Sequence, residues 1–168
     1  MKIALISDTH AQIELTRKAL SKAKEEKVSY LIHAGDVGSV EILDMMEEFP
    51  APYTAVFGNN DYALVSYQDK YNIFKEPHYF TLGDKKIKLM HLPYYLTPDS
   101  DIIIYGHLHK FQIEFIKGRL FINPGEICAR NKPYSEFVVL DIEEDGFLAE
   151  YFYRHVEEED WNKKVFKG

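Results

Sequence analysis

The first third of the chain alternates between short apolar runs and longer segments in which apolar residues recur every three or four positions. This pattern predicts a strand over residues 2–7, an amphipathic helix over 11–26, a strand over 29–33, a helix near 39–49 and a strand near 53–57. Ser39 is placed to cap the second helix. Strands that alternate with helices favour a parallel sheet in this part of the chain.

From about residue 78 onward the apolar runs come in pairs that are separated by short turn sequences. The pairs 78–82 with 86–91, 111–116 with 119–122, and 136–142 with 147–153 predict β-hairpins, and the aliphatic run 101–105 predicts a further strand. We therefore expect mostly antiparallel strands in the second half. Together the patterns predict an α/β fold of two packed mixed β-sheets flanked by helices.

The length and composition suit one compact domain. The chain has 168 residues, of which 46% are hydrophobic, and neither a repeat nor a low-complexity linker interrupts it. We expect a single domain over residues 1–168. Residues 157–168 change from acidic to basic and are expected to form a solvated, partly ordered C-terminal tail, with docking on the domain or on a second copy in a homodimer as the alternatives.

The charge and cysteine content exclude several classes of protein. A formal net charge of −7 argues against general binding to nucleic acids or anionic membranes, because both depend on clustered Lys and Arg. The single cysteine, Cys128, excludes an intramolecular disulfide, and no apolar run approaches the ~20 residues of a membrane-spanning helix. We expect a cytoplasmic protein that acts on a small molecule rather than on nucleic acid, without a membrane partner.

Side chains that bind metals stand directly after the predicted strands. In chain order they are Asp8, His10, Asp36, Asn59, His91, His107 and His109. The i, i+2 spacing of Asp8 with His10, and of His107 with His109, aims each pair to one side of an extended backbone. Ligands bind at the carboxyl edge of open α/β sheets, so we expect these side chains to meet in one crevice.

The chemical types of these side chains indicate a particular kind of metal. Carboxylate, imidazole and amide-oxygen ligands suit borderline divalent cations, and the lack of thiolates argues against a structural zinc site. Seven ligands are too many for one ion, so we expect two. His33, His78 and His155 lack such a context and are interpreted as packed or surface histidines.

The motifs also occur in an order that is known from one family. They are Asp8-x-His10, Gly35-Asp36, Gly58-Asn59-x-Asp61, His91 and Gly106-His107-x-His109. In these motifs the chain resembles the calcineurin-like metallophosphoesterases, and in its length and its Asn123-Pro124-Gly125 turn it is similar to their small single-domain phosphodiesterase branch.

The resemblance implies a dinuclear centre. One cation would be held by Asp8, His10, Asp36 and His109, and a second by Asp36, Asn59, His91 and His107. Asp36 would then bridge both cations and act as a catalytic residue. Such a pair of cations, with Mn²⁺ as the first expectation and Ni²⁺, Fe²⁺ or Zn²⁺ as alternatives, can share a hydroxide that attacks a phosphodiester.

The chain departs from the family at two positions. Asn60 stands where the family usually has a histidine, and a carboxamide can donate a hydrogen bond to phosphate but cannot protonate a leaving group near neutral pH. We interpret Asn60 as a catalytic and substrate-binding residue that suits diesters with good leaving groups. Leu92 and Pro93 follow His91 where a glycine is common, which predicts a weaker second cation site.

Asn123 and Arg130 are further candidate substrate contacts. A guanidinium matches a phosphate geometrically, and the turn at Asn123 resembles that of the family. A capped turn and a solvated arginine explain the same residues equally well.

Two other functions compete with phosphodiester hydrolysis. A non-catalytic metal-binding scaffold or protein-interaction module is the main alternative, since a relative of this fold serves in a membrane-coat assembly with a degraded metal site. The presence of all seven predicted ligands argues against it. A nuclease is disfavoured by the acidic net charge.

Overall fold

The computed structural model describes residues 1–144 and 146–168. Two α-helices, α1 (Ile13–Glu25) and α2 (Val40–Glu47), and a 3-10 helix over Tyr62–Tyr67 accompany the strands. The strands are β1 (Lys2–Ile6), β2 (Tyr30–His33), β3 (Tyr53–Val56), β4 (Ile73–Phe74), β5 (His78–Leu82), β6 (Lys85–Leu89), β7 (Ile102–Ile104), β8 (Phe111–Ile116), β9 (Arg119–Pro124), β10 (Tyr134–Glu143), β11 (Gly146–His155) and β12 (Asn162–Lys167).

The strands form two mixed sheets. The first has the order β12-β11-β10-β1-β2-β3-β4, and the second has the order β5-β6-β7-β9-β8. In the first sheet β1 to β4 are parallel neighbours, whereas β10, β11 and β12 are antiparallel. The predicted α/β fold with two mixed sheets is confirmed.

Alternation along β1 explains how the layers stack. Ala4 and Ile6 pack in one cluster with the buried faces of α1 and α2, whereas Ile3 and Leu5 pack between the two sheets. All four side chains are fully buried. Both helices therefore cover the outer face of the first sheet, and the second sheet covers its inner face.

The second half of the chain is less antiparallel than we predicted. The hairpins β5–β6 and β8–β9 form as expected, but β7 pairs in parallel with both β6 and β9. Strand β7 consists of three fully buried isoleucines. A strand that is buried on both faces carries no alternation from which its direction can be inferred.

The end of the chain is docked on the domain rather than solvated. Strand β12 pairs with β11 and forms an edge of the first sheet, although most of its side chains are exposed. Before it, Trp161 packs edge-on against Phe137 with ring centroids 5.0 Å apart. The docked alternative is therefore the arrangement that the structure has.

The two α-helices differ slightly from the predicted ones. Ser39 occupies the N-cap position of α2 as predicted, but its buried hydroxyl has no hydrogen-bond partner among the described residues.

None of the helices in the described part of the chain combines the length and the hydropathy that crossing a bilayer requires.

The topology brings strand ends from both sheets to one place. Because β1, β2 and β3 are parallel neighbours, the loops after them lie at the same edge of the first sheet. The loops after the parallel strands β6 and β7 share an edge of the second sheet. The backbone N–H of His107 donates to Asp8 Oδ2 at 3.1 Å and so joins the two edges. The predicted crevice lies between them.

Candidate metal centre

The backbone is strained at most of the predicted ligands. Asp8, His10, Asp36, His107 and His109 have positive φ angles of 53°, 44°, 56°, 68° and 52°. Nine non-glycine residues in the described part of the chain have positive φ, so more than half of them are predicted ligands. This conformation costs about 1–2 kcal/mol for an L-residue and persists where the surroundings over-determine it, typically at functional sites.

The two carboxylate oxygens of Asp8 have different surroundings. Oδ2 accepts a hydrogen bond from the Ser7 hydroxyl at 2.5 Å and another from the backbone N–H of His107 at 3.1 Å. Oδ1 lies 3.8 Å from His10 Nε2 and 3.3 Å from His109 Nε2. The protein thus holds one oxygen and turns the other toward the imidazoles.

Four of the predicted ligands, Asp8, His10, Asp36 and His109, form a group that we refer to as the inner set. His10 Nε2 lies 3.4 Å from Asp36 Oδ2 and 3.3 Å from His109 Nε2. The side chains of Asp8, Asp36, His10 and His109 are only 0%, 2%, 7% and 10% exposed. The donor atoms of the inner set therefore converge in a space that is nearly closed to solvent.

Asp36, Asn59, His91 and His107 form a second group, the outer set, which shares Asp36 with the first. His91 Nε2 lies 3.4 Å from Asp36 Oδ2 and 3.0 Å from Asn59 Oδ1, and Asn59 Oδ1 lies 3.1 Å from His107 Nδ1. The His91 ring is buried, whereas Asn59 is exposed and His107 is half-buried. The structure therefore brings all seven predicted side chains together, with Asp36 Oδ2 between the two sets.

Two glycines allow the backbone to pass close to Asp36 and His91. Gly35 has a φ of +88°, and a Cβ at this position would lie 2.7 Å from the His91 ring. A Cβ at Gly58 would overlap the Asp36 carboxylate. The Gly35-Asp36 and Gly58-Asn59 motifs therefore follow from close packing as well as from turn formation.

Asp61, the last residue of the Gly58-Asn59-x-Asp61 motif, supports the loops. Its buried carboxylate accepts hydrogen bonds from the backbone N–H groups of Val37, Gly38 and Gly58 at 3.0, 2.8 and 2.7 Å. These contacts tie the loop after β2 to the loop after β3. Asp61 thereby fixes the spacing of the two loops that carry Asp36 and Asn59.

Burial and charge act in opposite ways on the protonation of the site. Burial lowers the pKa of His10 to about 4, and Asp36 opposes this only in part, so the ring is neutral near neutral pH. Burial raises the pKa of Asp36, but hydrogen bonds from His91 and Asn60 outweigh it and hold that pKa below its usual range. These are the forms of His10 and Asp36 that bind cations.

Protons compete with cations at three other ligands. Burial raises the pKa of Asp8. At His91 burial lowers the pKa, but the hydrogen bond with Asp36 outweighs this and raises the pKa of the ring. The hydrogen bond with Glu126 raises the pKa of His109. Cation binding therefore has to displace protons at these ligands.

Two of the predicted substrate contacts are engaged within the protein. Asn60 is exposed, and its Nδ2 donates to Asp36 Oδ2 at 2.7 Å. Asn123 is fully buried, its Nδ2 donates to the Gly106 carbonyl at 2.8 Å, and its Oδ1 accepts from the Gly125 N–H at 3.0 Å. This geometry gives Asn123 a structural role and does not support the predicted contact with substrate.

Arg130, the third predicted contact, is exposed next to the inner set. Burial is the main cause that lowers the pKa of His10, and the charge of Asp36 opposes it. The positive charge of Arg130 lowers this pKa further. The guanidinium therefore acts on the site from the solvent side, where a ligand can reach it.

His33 is packed, in agreement with its interpretation. The ring is fully buried, its Nε2 lies 2.9 Å from the Thr9 hydroxyl, and its Nδ1 accepts from the Gly35 N–H at 3.1 Å. It supports the loops on both sides of the inner set without entering it.

Glu126 is a residue of the site that the sequence patterns did not identify. It is fully buried, and its Oε2 lies 2.6 Å from His109 Nδ1. Burial raises its pKa, but hydrogen bonds from His109 and Cys128 outweigh this and bring the pKa to about 2. Its position directly after the Asn123-Pro124-Gly125 turn was the available signal, because that turn resembles one in the family.

The residues present fit divalent cations. Donor atoms of Asp8, Asp36 and His91, which come from both sets, lie close enough together to hold an ion. In addition, Asp8 Oδ1 is buried and has no hydrogen-bond partner within the described ranges. A buried carboxylate oxygen without a partner is costly, and a cation bound between these donors compensates it.

Cys128 lies behind His109 rather than on the side of the other ligands. Its Sγ is 3.8 Å from His109 Nδ1, the nitrogen that faces Glu126, whereas Nε2 of the same ring faces Asp8. Burial raises the pKa of the thiol to about 12. A protonated thiol in this position is a poor ligand.

Comparison with known proteins agrees with the motifs. The family model of the calcineurin-like phosphoesterase superfamily domain matches residues 1–145. A phosphodiesterase from Methanocaldococcus jannaschii is 29% identical over 160 residues, which cover 88% of this chain and 96% of the relative. The match therefore extends over nearly the whole length of both proteins.

Solved structures extend the comparison to the fold. An archaeal phosphodiesterase, 26% identical, superposes with a TM-score of 0.76 over 99% of this chain and 100% of that chain. Vacuolar Protein Sorting 29 from Cryptosporidium parvum, 21% identical, superposes with a TM-score of 0.78 over 99% and 97%, a likeness that concerns the fold alone. The chain belongs to the calcineurin-like phosphoesterase superfamily, in its small single-domain phosphodiesterase branch.

Proposed function

We propose that the protein is a metal-dependent phosphodiesterase that holds two divalent cations, one at the inner set and one at the outer set. The observation that carries this proposal is the position of Asp36 Oδ2, which lies 3.4 Å from His10 Nε2 and 3.4 Å from His91 Nε2, one ring from each set. A carboxylate that lies between two groups of ligands suits a pair of cations. Mn²⁺ is the first candidate, and Ni²⁺, Fe²⁺ or Zn²⁺ also suit these donors.

The cations, when bound, supply Lewis-acid polarisation of a phosphoryl group and neutralise the charge that develops during displacement at phosphorus. The residues of the chain hold the donors in place and limit the access of water. Asp8 is fixed by Ser7 and Asp36 by Asn60, so neither carboxylate has to be reoriented. Arg130, exposed at the rim, presents a guanidinium to a phosphate oxygen.

The substrate class follows from the groups around the centre. Asn60 offers a carboxamide, which does not protonate a leaving group near neutral pH. Diesters with a leaving group that departs unassisted are therefore the better substrates, and monoesters are poorer ones. Aryl diesters should react fastest in an assay.

A comparison of bis(4-nitrophenyl) phosphate with 4-nitrophenyl phosphate tests this proposal. Metal-free protein is reconstituted separately with Mn²⁺, Ni²⁺, Fe²⁺ and Zn²⁺, and the release of nitrophenol is followed. We expect hydrolysis of the diester with at least one metal, slower hydrolysis of the monoester, and loss of both on chelation. Protein that binds two cations yet hydrolyses neither ester contradicts the proposal.

The alternative is a non-catalytic interaction module of the same fold. The observation that favours it is a group of exposed apolar side chains on the loops that carry the ligands. Tyr62 follows Asn59 and is 90% exposed, and Tyr94 follows His91 and is 72% exposed. The same rim can accept the apolar part of a diester, so the assay above, combined with metal analysis, separates the two functions.

A further inference from the structure

Glu126 makes more contacts than any role in packing requires. The residue lies between β9 and β10 and is fully buried. Its Oε2 lies 2.6 Å from His109 Nδ1 and accepts the backbone N–H of Arg130 at 3.0 Å, while its Oε1 accepts the N–H groups of Asn131 and Lys132 at 3.0 and 3.2 Å. One carboxylate therefore connects a predicted ligand of the inner set to the turn that carries Arg130.

The contact with Glu126 determines which way the His109 ring faces. A carboxylate accepts hydrogen bonds, so the proton of the neutral ring belongs on Nδ1, the nitrogen that faces Glu126. Nε2 is then unprotonated, and it lies 3.3 Å from Asp8 Oδ1 and 3.3 Å from His10 Nε2. The lone pair of His109 is thereby directed at the other donors of the inner set.

The surroundings of Glu126 supply hydrogen-bond donors to both carboxylate oxygens. Three backbone N–H groups and the ring N–H of His109 point at its two oxygens, and Lys132 Nζ lies 3.7 Å from Oε1. A buried carboxylate without such donors would be strongly unfavourable. The contacts thus fix the orientation of the carboxylate, and a carboxylate partner orients an imidazole ligand and makes it a stronger one.

We propose that Glu126 is a positioning residue of the metal centre. It holds His109 with Nε2 turned toward the inner set, and it seats the turn at residues 130–132 so that Arg130 reaches the rim of the same site. This inference rests on the proposed function, because it assigns a cation to the inner set. It adds a residue that touches neither cation nor substrate.

Glu136 provides a matched control. Its carboxylate is equally buried, at 2% exposure, and contacts Lys132 Nζ at 2.7 Å, the Glu126 N–H at 3.2 Å and the Tyr151 hydroxyl. Glu136 thus lies next to Glu126, carries the same carboxylate group and contacts the same lysine, Lys132. Its hydrogen bonds go to these three groups rather than to His109, so a purely structural effect should appear in variants of both glutamates.

The first measurement needs no metal. NMR shifts of the ring nitrogens in isotope-labelled, metal-free wild-type protein at alkaline pH report the tautomer of His109, whose signals are identified by their loss in His109→Asn. We expect a proton on Nδ1 in the wild type and in Glu136→Gln, and a mixed or reversed tautomer in Glu126→Gln. A wild-type ring with its proton on Nε2 overturns the inference, whatever the enzyme does.

The second measurement is calorimetric titration with Mn²⁺, together with the visible spectrum of the Co²⁺-loaded protein. Glu126→Gln should bind one of the two cations about 10–100-fold more weakly and change the Co²⁺ spectrum, because loss of a carboxylate partner of a histidine ligand has that effect. Glu126→Asp should recover part of the affinity. Glu136→Gln should bind as the wild type does.

The outcomes of these measurements separate the two proposals. Equal losses in Glu126→Gln and Glu136→Gln, or wild-type affinity in Glu126→Gln, contradict the role of Glu126 while leaving the metal centre intact. Wild-type protein that binds no cation but carries the proton on Nδ1 of His109 contradicts the proposed function instead. Circular dichroism of each variant, His109→Asn included, shows whether the fold is retained, and the wild-type NMR result stands even where a variant of Glu126 fails to fold.

Discussion

The inner and outer sets use the same kinds of donor atom, but the protein holds them differently. In the inner set, residues outside the set fix the ligands: Ser7 donates to Asp8 at 2.5 Å, and Glu126 lies 2.6 Å from His109. In the outer set, Asn59 is exposed, and its Oδ1 is approached by His91 and His107 of the same set at 3.0 and 3.1 Å. In the outer set the surroundings also hold His91, whose Nδ1 lies 2.8 Å from the Ala34 carbonyl, so the difference between the sets lies in the exposed Asn59.

This difference has an energetic meaning. A ligand that is already oriented loses little conformational freedom when a cation binds, whereas an exposed carboxamide must be immobilised at that moment. We therefore expect the inner set to bind its cation more tightly than the outer set. This agrees with the weaker second site that Leu92 and Pro93 predict from the sequence.

The largest effect should come from Asp36→Asn, which affects both sets at once. Both cations should be lost or weakened, and hydrolysis of the aryl diester should fall by more than about 10²-fold, because even indirect partners of metal ligands contribute 10–100-fold. Asp84→Asn is the control, since this carboxylate on the β5–β6 turn is 81% exposed. Initial rates measure the loss of activity, and elemental analysis measures the cations that remain bound. Equal rates in the two variants would show that Asp36 is not part of the metal centre.

Asn59→Ala should separate the sets. The tighter cation should remain while the weaker one is lost, so that metal-saturated protein holds about one ion in place of about two, and turnover falls by about 10–100-fold. Titration with Mn²⁺ measures both steps. If Asn59→Ala loses the tighter Mn²⁺-binding step instead, the outer set binds its cation more tightly than the inner set, contrary to our expectation.

Gly35→Ala should disturb the outer set by steric means. A Cβ there would lie 2.7 Å from the His91 ring, whereas a Cβ at Gly118, where φ is +76°, meets no described atom within 4 Å. Gly118→Ala should therefore cost only backbone strain, about 1–2 kcal/mol, and Gly35→Ala about 1–3 kcal/mol more. Urea unfolding of metal-free protein measures this difference. The weaker Mn²⁺ step should shift only in Gly35→Ala, and a shift in both variants would exclude the steric explanation.

The smallest effect should be the contribution of the buried His33, which packs next to the inner set, to the pH dependence of stability. Burial lowers the pKa of His33 to about 3, so between about pH 6.5 and 3 the unfolded chain binds a proton that the folded chain does not. The free energy of unfolding of the metal-free protein should therefore fall as the pH drops through this range, by up to about 1.4 kcal/mol per pH unit from this residue. His33→Gln should make the pH dependence shallower. Denaturant unfolding at several pH values checks it, and identical slopes would mean that His33 does not contribute.

Three of the ligands were predictable because the parallel strands that precede them have a clear sequence pattern. The apolar runs of β1, β2 and β3 end abruptly in polar residues, and parallel neighbours must place their ends at one edge. Asp8, Asp36 and Asn59 follow from this order alone. His91, His107 and His109 also follow predicted strands, but the parallel direction of β7 is not visible in three buried isoleucines, so the pattern did not place them at the same edge as firmly.

The supporting residues were not predictable, because their partners come together only in the folded chain. Glu126 meets His109 only after the β8–β9 hairpin has closed, and a single glutamate after a turn has no periodicity. For Asn123 the sequence left a substrate contact and a capped turn open, and the structure has the buried turn. Before β12, Trp161 packs against Phe137, which lies far away along the chain, so this contact could not be predicted from a local pattern.

The left-handed backbone of the ligands also bears on how such a site is kept or lost over evolutionary time. At His107, with φ at 68°, a glycine would relieve about 1–2 kcal/mol of strain while deleting a ligand. The other four ligands with positive φ hold the same kind of backbone strain, which the site requires and the fold alone does not. In a lineage released from selection for hydrolysis, nothing would maintain this strain against substitution. This chain keeps a left-handed backbone at all five ligands.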